Sequence, residues 1–207
     1  SRASTVFGFS RNSSTRPSRS TRIAPNWEIS SSEHGSTPIV MSAPDAICKL
    51  VEAFRFNLRE YKKPQYNETL IRVEFVNPFG EALGWDVNNR TGYALAYRDV
   101  IHEEKVRVGG AAKAPDYAFR VGGRRIFFLE TKKPSIDLRN NPAPAFQLRR
   151  YAYSAKLPVS LLTDFEELCV YDTRIKPALS DAVHVGRIGY YTFEHYIDKW
   201  DELEAAF

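Results

Sequence analysis

Cysteine is scarce in the 207-residue chain, where Cys48 and Cys169 lie far apart in the sequence. Their separation offers no metal-type spacing, and such sparse cysteine is typical of a reducing compartment, so we predict a cytoplasmic protein. The four histidines form no cluster along the sequence either. A zinc site built from cysteine or histidine is therefore not expected.

Long hydrophobic runs are also missing, because no stretch reaches the roughly 18 apolar residues that a membrane-spanning helix needs. We therefore expect no membrane partner. The net charge of +4 arises mostly in residues 1–40, which hold five Arg, two Glu and no Lys. Support for a nucleic-acid partner must come from local clusters of basic residues, because the total charge of the remaining chain nearly balances.

Aliphatic residues are scarce in residues 1–40, which are rich in Ser and Arg. Such a segment cannot bury enough apolar surface to offset its ordering entropy, so we predict a flexible tail. Met41 is the single methionine and is interpreted as the native start, with a transit-like peptide and a DNA-binding arm as alternatives. We expect one domain over residues 41–192, with residues 193–207 beginning a truncated linker helix.

The most informative stretch is residues 115–132. Two apolar runs flank a Gly-Gly pair there and predict a β-hairpin. Asp116 lies where the first strand starts, and Glu130 and Lys132 lie where the second strand ends. Because the second strand is apolar on both faces, we predict that it is central in a sheet and covered on both sides.

The three charged groups predict a metal site if they converge. Glu130 and Lys132 share one face of the strand, about 6.6 Å apart. Asp116 must lie opposite Glu130, but a two-residue turn would place it opposite Leu129, so we predict a three-residue loop, Gly122–Arg124, or a β-bulge. Two close carboxylates favour Mg²⁺ between them, and Lys132 would orient the attacking water or stabilise transition-state charge. A solvated strand end with a Glu-Lys pair is the alternative.

Hydrophobic periodicity and turn residues predict the other elements. The order helix, strand, strand, strand, helix, strand results from these segments and the hairpin. In chain order the segments are a helix over residues 44–60, a helix from an Asn67 cap to Gly84 with a kink at Pro78, a strand over Asp99–Val108, a helix over Ala145–Lys156, strands over Val159–Thr163 and Leu168–Asp172, and a helix over Phe193–Phe207.

The helix that follows the hairpin carries groups suited to a nucleic acid. Gln147 and Tyr151 are four residues apart and share one face, where Gln can bond a phosphate or water and Tyr can pack on a substrate strand. Arg149, Arg150 and Lys156 are predicted phosphate contacts, which would give a salt-dependent and sequence-blind affinity. The alternative is an ordinary solvated helix face.

Several motifs occur in order between residues 60 and 177. Pro115-Asp116 followed by Glu130-Thr131-Lys132 resembles the PD-(D/E)xK nuclease signature. Together the motifs resemble the N-terminal endonuclease domain of type IIG restriction–modification enzymes, kin to the N-terminal region of type I restriction R subunits. They are Asn67-Glu68-Thr69-Leu70, Ala82-Leu83-Gly84-Trp85-Asp86, Lys113-Ala114-Pro115-Asp116-Tyr117, Glu130-Thr131-Lys132-Lys133-Pro134, Gln147-Leu148-Arg149-Arg150-Tyr151 and Leu162-Thr163-Asp164-Phe165-Glu166.

The resemblance implies a restriction-endonuclease-like α/β fold, with an α-β-β-β-α-β core and a mixed central sheet flanked by helices. It implies that residues 41–192 cleave double-stranded DNA with Mg²⁺, or with Mn²⁺. A methyltransferase and a target-recognition region are expected in cis or in trans, because nothing here resembles a glycine motif for S-adenosylmethionine. A non-catalytic DNA-binding or assembly module is the alternative, and a repair or recombination nuclease would differ in substrate only.

The resemblance also assigns roles to individual residues. Asp116 and Glu130 would bind the metal, and Lys132 and Gln147 would act in catalysis. Tyr151 matches the Tyr of a Gln-x-x-x-Tyr element found after the catalytic lysine in a subset of these nucleases. An additional carboxylate would come from the helix before the hairpin, where Glu68 is the first candidate for a metal ligand and Glu74 the second.

Overall fold

The computed structural model describes residues 43–207. The predicted tail over residues 1–40 and the interpreted start at Met41 lie outside the described residues. Among the helices between residues 43 and 207, none combines the length and the apolar character that crossing a lipid bilayer requires.

A six-stranded mixed sheet forms the centre of the domain. The strands are β1 (Val100–His102), β2 (Val106–Val108), β3 (Ala111–Lys113), β4 (Tyr117–Val121), β5 (Arg124–Thr131), β6 (Val159–Thr163), β7 (Glu167–Asp172) and β8 (Arg187–Thr192). Their order in the sheet is β1-β4-β5-β6-β7-β8, while β2 and β3 form a separate hairpin. β5 and β6 run parallel, and the other neighbours in the sheet run antiparallel.

Helices cover both faces of this sheet. They are α1 (Asp45–Tyr61), α2 (Glu68–Ile71), a π-helical turn (Arg72–Val76), α3 (Asn77–Ala82), α4 (Pro142–Ser154) and α5 (Trp200–Ala206). α1, α3 and α5 share one apolar core with the sheet, and α4 shares a second core with β2. The predicted α/β fold, with a mixed central sheet flanked by helices, is confirmed.

β5 is buried on both faces, as predicted for the central strand. Phe127 and Leu129 pack into the core beneath α1, whereas Phe128 points into the core beneath α4. Alternate side chains of a strand point to opposite faces, so this one strand holds the two helical layers together. β4 on one side and β6 on the other complete its hydrogen bonding.

The β4–β5 hairpin contains a β-bulge, which is one of the two predicted alternatives. Val121 pairs with Arg124 across the Gly-Gly turn, and Arg120 pairs with Arg125. The next residue of β4, Phe119, pairs with Phe127 and not with Ile126. Ile126 is therefore the extra residue in β5. The register changes by one position along the ladder, and every side chain farther from the turn faces a new partner.

The predicted strand over Asp99–Val108 is wrong, because it is two strands in two different sheets. β1 ends at His102, and Glu103 then adopts a left-handed φ of 51°. Its backbone N–H donates to the Asp116 carbonyl oxygen, 3.0 Å away. Glu104 turns inward to bind Arg120 and Arg125, which diverts the chain into the β2–β3 hairpin.

The helical segment around Pro78 remains continuous, where a kink or restart was predicted. The N–H of Asn77 donates to the carbonyl oxygen of Arg72, five residues back, so the turn before Pro78 is π-helical. A proline ring in an α-helix clashes with the carbonyl four residues earlier. We infer that the wider π turn accommodates the ring. α3 then ends at Ala82, and Gly84, with a φ of 83°, lies just beyond the C-cap residue Leu83.

One helix start and one strand differ from the predictions. α4 begins at Pro142, three residues before the predicted start, because Asn141 caps it and accepts from the Ala143 N–H at 3.1 Å. Proline suits this position, since its missing N–H would have no partner in the first turn. β8 was not predicted, and it pairs with β7 along one edge of the sheet.

Side chains from residues 193–207 pack into the main core. A 3-10 turn, Phe193–His195, precedes α5, so the predicted single helix is two shorter pieces. Trp200 and Leu203 are buried with α1 and α3 in one apolar cluster. The predicted domain boundary at residue 192 stays a prediction, and Trp200 and Leu203 pack on the same core as the residues before it.

The Glu104 cluster should make stability depend on pH. Burial alone would raise the pKa of Glu104, but hydrogen bonds and charges from Arg125 and Arg120 lower it below its usual range. The stabilisation is fully present above that usual range and is lost as pH falls through the folded-state pKa. Glu104→Gln should lower the free energy of unfolding by about 1–3 kcal/mol near pH 7.

Urea denaturation at about pH 7 and about pH 3 measures this effect, because the difference between wild type and variant should shrink as the wild-type carboxylate is protonated. Glu52→Gln, an exposed position on α1, is the matched control and should change little at either pH. A Glu104→Gln deficit that stays the same at both pH values would contradict this account.

Candidate functional site

The open end of the β4–β5 hairpin brings two carboxylates together. Tyr117 pairs with Leu129, so the next position in this register sets Asp116 against Glu130. Side chains directly opposite in an antiparallel pair have Cβ atoms about 5 Å apart. Asp116 is held there by the backbone N–H of Thr131, which donates to its Oδ2 at 2.7 Å.

Glu130 is the most buried charged group of the cluster, with 3% of its surface exposed. Its Oε1 accepts hydrogen bonds from Lys132 Nζ at 2.8 Å and from Gln147 Nε2 at 2.5 Å. Its Oε2 has no hydrogen-bond partner within residues 43–207. Burial, and then the negative charge of Asp116, raise the pKa of Glu130 to about 7 against the opposing effect of Lys132.

Lys132 remains a cation in this setting. Burial alone would lower the pKa of Lys132, but the charge and hydrogen bond of Glu130 raise it above its usual value. Its backbone N–H donates to the carbonyl oxygen of Thr163 in β6, 2.9 Å away. This bond fixes the end of β5 against β6. The ammonium group is held by Glu130 and can stabilise negative charge on a neighbouring ligand.

Of the two candidate carboxylates before the hairpin, Glu68 lies nearer the site. Asn67 caps α2 and places Glu68 in its first turn, where Oε1 lies 3.8 Å from Lys132 Nζ. Its side chain is about half exposed. Glu74 instead accepts a hydrogen bond from the Tyr66 hydroxyl at 2.9 Å, and its role as the second candidate stays a prediction.

The donor set fits a hard divalent cation. Glu130 Oε2 is a buried carboxylate oxygen without a protein partner, and Asp116 lies opposite it. Mg²⁺ is often bound by one or two carboxylates, with water and substrate oxygens completing its octahedron. Within residues 43–207, no three His, Cys, Asp or Glu side chains are grouped to hold a metal, so the protein offers two carboxylates. The role of Glu68 as a third ligand stays a prediction.

Gln147 points into the cluster, whereas two other predicted residues of α4 point elsewhere. Tyr151 is packed in the core beneath α4 and has 7% of its surface exposed, so it is not positioned on the surface as predicted. Arg149 is 1% exposed, and its Nη1 donates to Asp181 Oδ2 at 2.8 Å. Arg149 is thus engaged by a partner inside the domain, and its predicted phosphate contact stays a prediction.

Arg150 and Lys156 are exposed, as phosphate contacts must be. Lys156 has a left-handed φ of 57° and lies just beyond the end of α4. The next N–H, of Leu157, donates back to the Ala152 carbonyl oxygen at 3.0 Å and closes the helix. The contact of either residue with DNA stays a prediction.

Arg72 is a further residue of the site that the sequence did not reveal. Its Nη1 lies 3.5 Å from Asp116 Oδ1, and its Nε donates to the Tyr117 hydroxyl at 3.3 Å. Its guanidinium group lies over the Tyr117 ring, 4.9 Å from the centroid. Arg72 begins the π turn, which changes the helical register, so ordinary helical spacing gave no signal for this contact.

Glu130 should destabilise the metal-free protein at alkaline pH. Its folded-state pKa of about 7 lies above the usual range, so the folded state binds the proton more tightly than the unfolded state. Stability therefore falls as pH rises from the usual range through about 7. Glu130→Gln keeps an oxygen for Lys132 and Gln147, and it should raise the free energy of unfolding at about pH 8 by on the order of 1–3 kcal/mol.

Chemical denaturation in EDTA at about pH 5 and about pH 8 measures this gain, which should fade at the lower pH because wild-type Glu130 is then protonated. Glu68→Gln removes one carboxylate from a half-exposed neighbour and is the matched control. A Glu130→Gln variant that is equally destabilised at both pH values would rule out the assigned electrostatic penalty.

Comparison with curated proteins gives a similarity that agrees with this geometry. The chain is 39% identical over 165 residues to the type II restriction enzyme and methyltransferase RM.Eco57I of Escherichia coli. The matched region is 79% of this chain and 16% of that enzyme. No protein-family model matches the chain, and no solved structure matches it. The similarity supports the interpretation that the chain is a restriction-enzyme-related domain.

Proposed function

We propose that the protein is an endonuclease that hydrolyses phosphodiester bonds in double-stranded DNA with Mg²⁺, or with Mn²⁺. The observation that carries this proposal is the convergence of Asp116, Glu130 and Lys132 at the open end of one hairpin. The similarity to a restriction enzyme supports DNA as the substrate. A DNA substrate would also place the protein in the cytoplasm, in line with its sparse cysteine.

Asp116 and Glu130 are the residues that would hold the divalent ion. When bound, such an ion supplies a Lewis acid and a counter-charge for the phosphate. Asp116 is already oriented by the Thr131 N–H and by Arg72. Glu130 keeps one oxygen engaged by Lys132 and Gln147, which leaves the other oxygen for the ion. The two carboxylates are thus preorganised by groups that do not compete for the same atoms.

Lys132 would act as a cation and not as a general base. Its raised pKa keeps the ammonium protonated at neutral pH, so it can donate a hydrogen bond to a phosphate oxygen or to the attacking water. Such a fixed positive charge stabilises the charge that develops on the phosphate in the transition state. Gln147 fixes the rotamer of Glu130 and provides a neutral donor beside it.

The similarity also suggests which other domains the protein works with. The relative is named as a restriction enzyme and methyltransferase, and this chain spans about one sixth of its length. We propose that the domain works with a methyltransferase and a target-recognition region, in the same chain or in another one. The type IIG arrangement accords with that fused name, and a type I-like arrangement is the alternative subtype.

Plasmid nicking in Mg²⁺ tests the proposed chemistry. Lys132→Ala should reduce the rate by about 10²–10³-fold, as the loss of one preorganised donor to a transition state does in other enzymes. Asp116→Asn should abolish cleavage, since it removes one of the two carboxylates. EDTA should abolish wild-type cleavage, and added Mg²⁺ or Mn²⁺ should restore it.

Lys49→Ala is the matched control, because Lys49 is an exposed lysine on α1, on the opposite face of the sheet from α4. It should cleave at the wild-type rate. Equal cleavage by wild type and Lys132→Ala would refute the assigned role of the lysine. DNA binding without cleavage under any divalent ion would favour the alternative of a non-catalytic DNA-binding or assembly module.

A further inference from the structure

A groove lies between α4 and the β2–β3 hairpin, with a volume of about 540 Å³. We call it the α4 groove and define it by its lining residues. The hairpin, the second half of α4 and the loop after β7 each contribute to the lining. These residues are Val108, Gly109, Ala111, Lys113, Arg150, Tyr153, Ser154, Lys176 and Pro177.

The α4 groove is strongly cationic. Lys113 comes from β3, Arg150 from α4 and Lys176 from the loop after β7, and the lining contains no carboxylate. Within residues 43–207, no ion pair engages any of the three cations. Three unpaired cations that converge from separate segments repel each other, and an anionic ligand would relieve that repulsion.

The walls of the groove are fixed by buried contacts. Val106 and Val108 of β2 pack into the core beneath α4, which leaves every residue of β3 exposed. On the opposite wall, the Arg150 guanidinium group lies 5.7 Å from the ring centroid of Phe146. The third cation is held through its loop, because the buried Arg149 binds Asp181 five residues after Lys176.

Two segments that line the groove are close in sequence to residues of the candidate active site. Arg150 follows Gln147 by three residues and lies about 4.5 Å farther along the axis of α4. On the hairpin side, Lys113 precedes Asp116 by three residues, within about 11 Å of extended chain. Both segments thus connect the carboxylate pair to the groove, and each carries a cation that forms no ion pair within residues 43–207.

We propose that the α4 groove binds the sugar-phosphate backbone of duplex DNA beside the bond that is cut. This inference rests on the proposed function for its position relative to the cleavage site. Phosphates follow one another by about 3.4 Å along each strand axis, so the second half of α4 can meet about three of them. Lys113, Arg150 and Lys176 would each contact a phosphate, and the half-exposed Tyr153 would pack against the backbone.

Such contacts read no sequence and depend strongly on salt. Each phosphate neutralised by a cation contributes about −0.9 to the slope of log Kobs against log salt concentration. Loss of three contacts should therefore reduce that slope by about 2–3 and weaken duplexes of unrelated sequence to the same extent. If DNA were instead attracted by cations spread over the whole surface, removing the three groove cations would not lower the slope more than removing three others.

The test compares duplex binding by wild type and a groove variant carrying Lys113→Gln, Arg150→Gln and Lys176→Gln. Fluorescence anisotropy in EDTA, from about 50 to about 300 mM KCl, gives the slope without cleavage. The control variant carries Lys49→Gln, Arg59→Gln and Arg124→Gln, three exposed cations outside the groove. The groove variant should lose about 2–3 units of slope, and the control should lose less than one.

Equal slopes for the two variants would overturn the proposal. Metal-dependent nicking by wild type, measured in parallel, separates this outcome from the failure of the proposed function. If wild type nicks DNA but both slopes are equal, the groove assignment fails and the nuclease assignment stands. If the groove variant loses slope but wild type never cleaves, the groove assignment stands and the nuclease assignment fails.

Discussion

The extra residue in β5 is the constraint on which the site depends. A two-residue Gly-Gly turn fixes the pairing of the hairpin near its tip, and that pairing alone would set Asp116 and Glu130 on different faces. The bulge at Ile126 shifts the ladder by one position and turns both carboxylates to the same side. One unpaired residue in the strand therefore converts an ordinary hairpin into a candidate metal site.

The arrangement has an electrostatic cost that the surrounding residues reduce but do not remove. Two carboxylates face each other, one of them buried, and the neighbouring cations Lys132 and Arg72 offset part of the repulsion. A site that is strained when empty gains most from its ligand, because binding then relieves the penalty. The unpartnered oxygen of Glu130 is the atom at which this relief is expected.

Local sequence patterns predicted much of the fold, because many of its elements are determined by residues that are adjacent in the sequence. The period of α1, the apolar run of β5 and the Gly-Gly turn each depend on neighbouring residues. Requiring Asp116 to meet Glu130 predicted a three-residue loop or a bulge, and the structure has the bulge. Long-range packing decided the rest. Leu148 and Ala152 indicate one covered side of α4, but nothing nearby indicates that Arg149 and Tyr151 are buried too. The Glu103 turn that divides the predicted strand is fixed by Asp116, which lies just before β4.

The parallel pairing of β5 with β6 has a consequence for how the active geometry comes into being. Lys132 is tethered to Thr163, and Glu130 to Gln147, so the cluster joins segments that lie on both sides of a helical crossover. Such crossovers close large loops and form slowly during folding. During synthesis, the acidic side chains are made before β6. They would reach their final arrangement only after α4 and β6 have packed against β5.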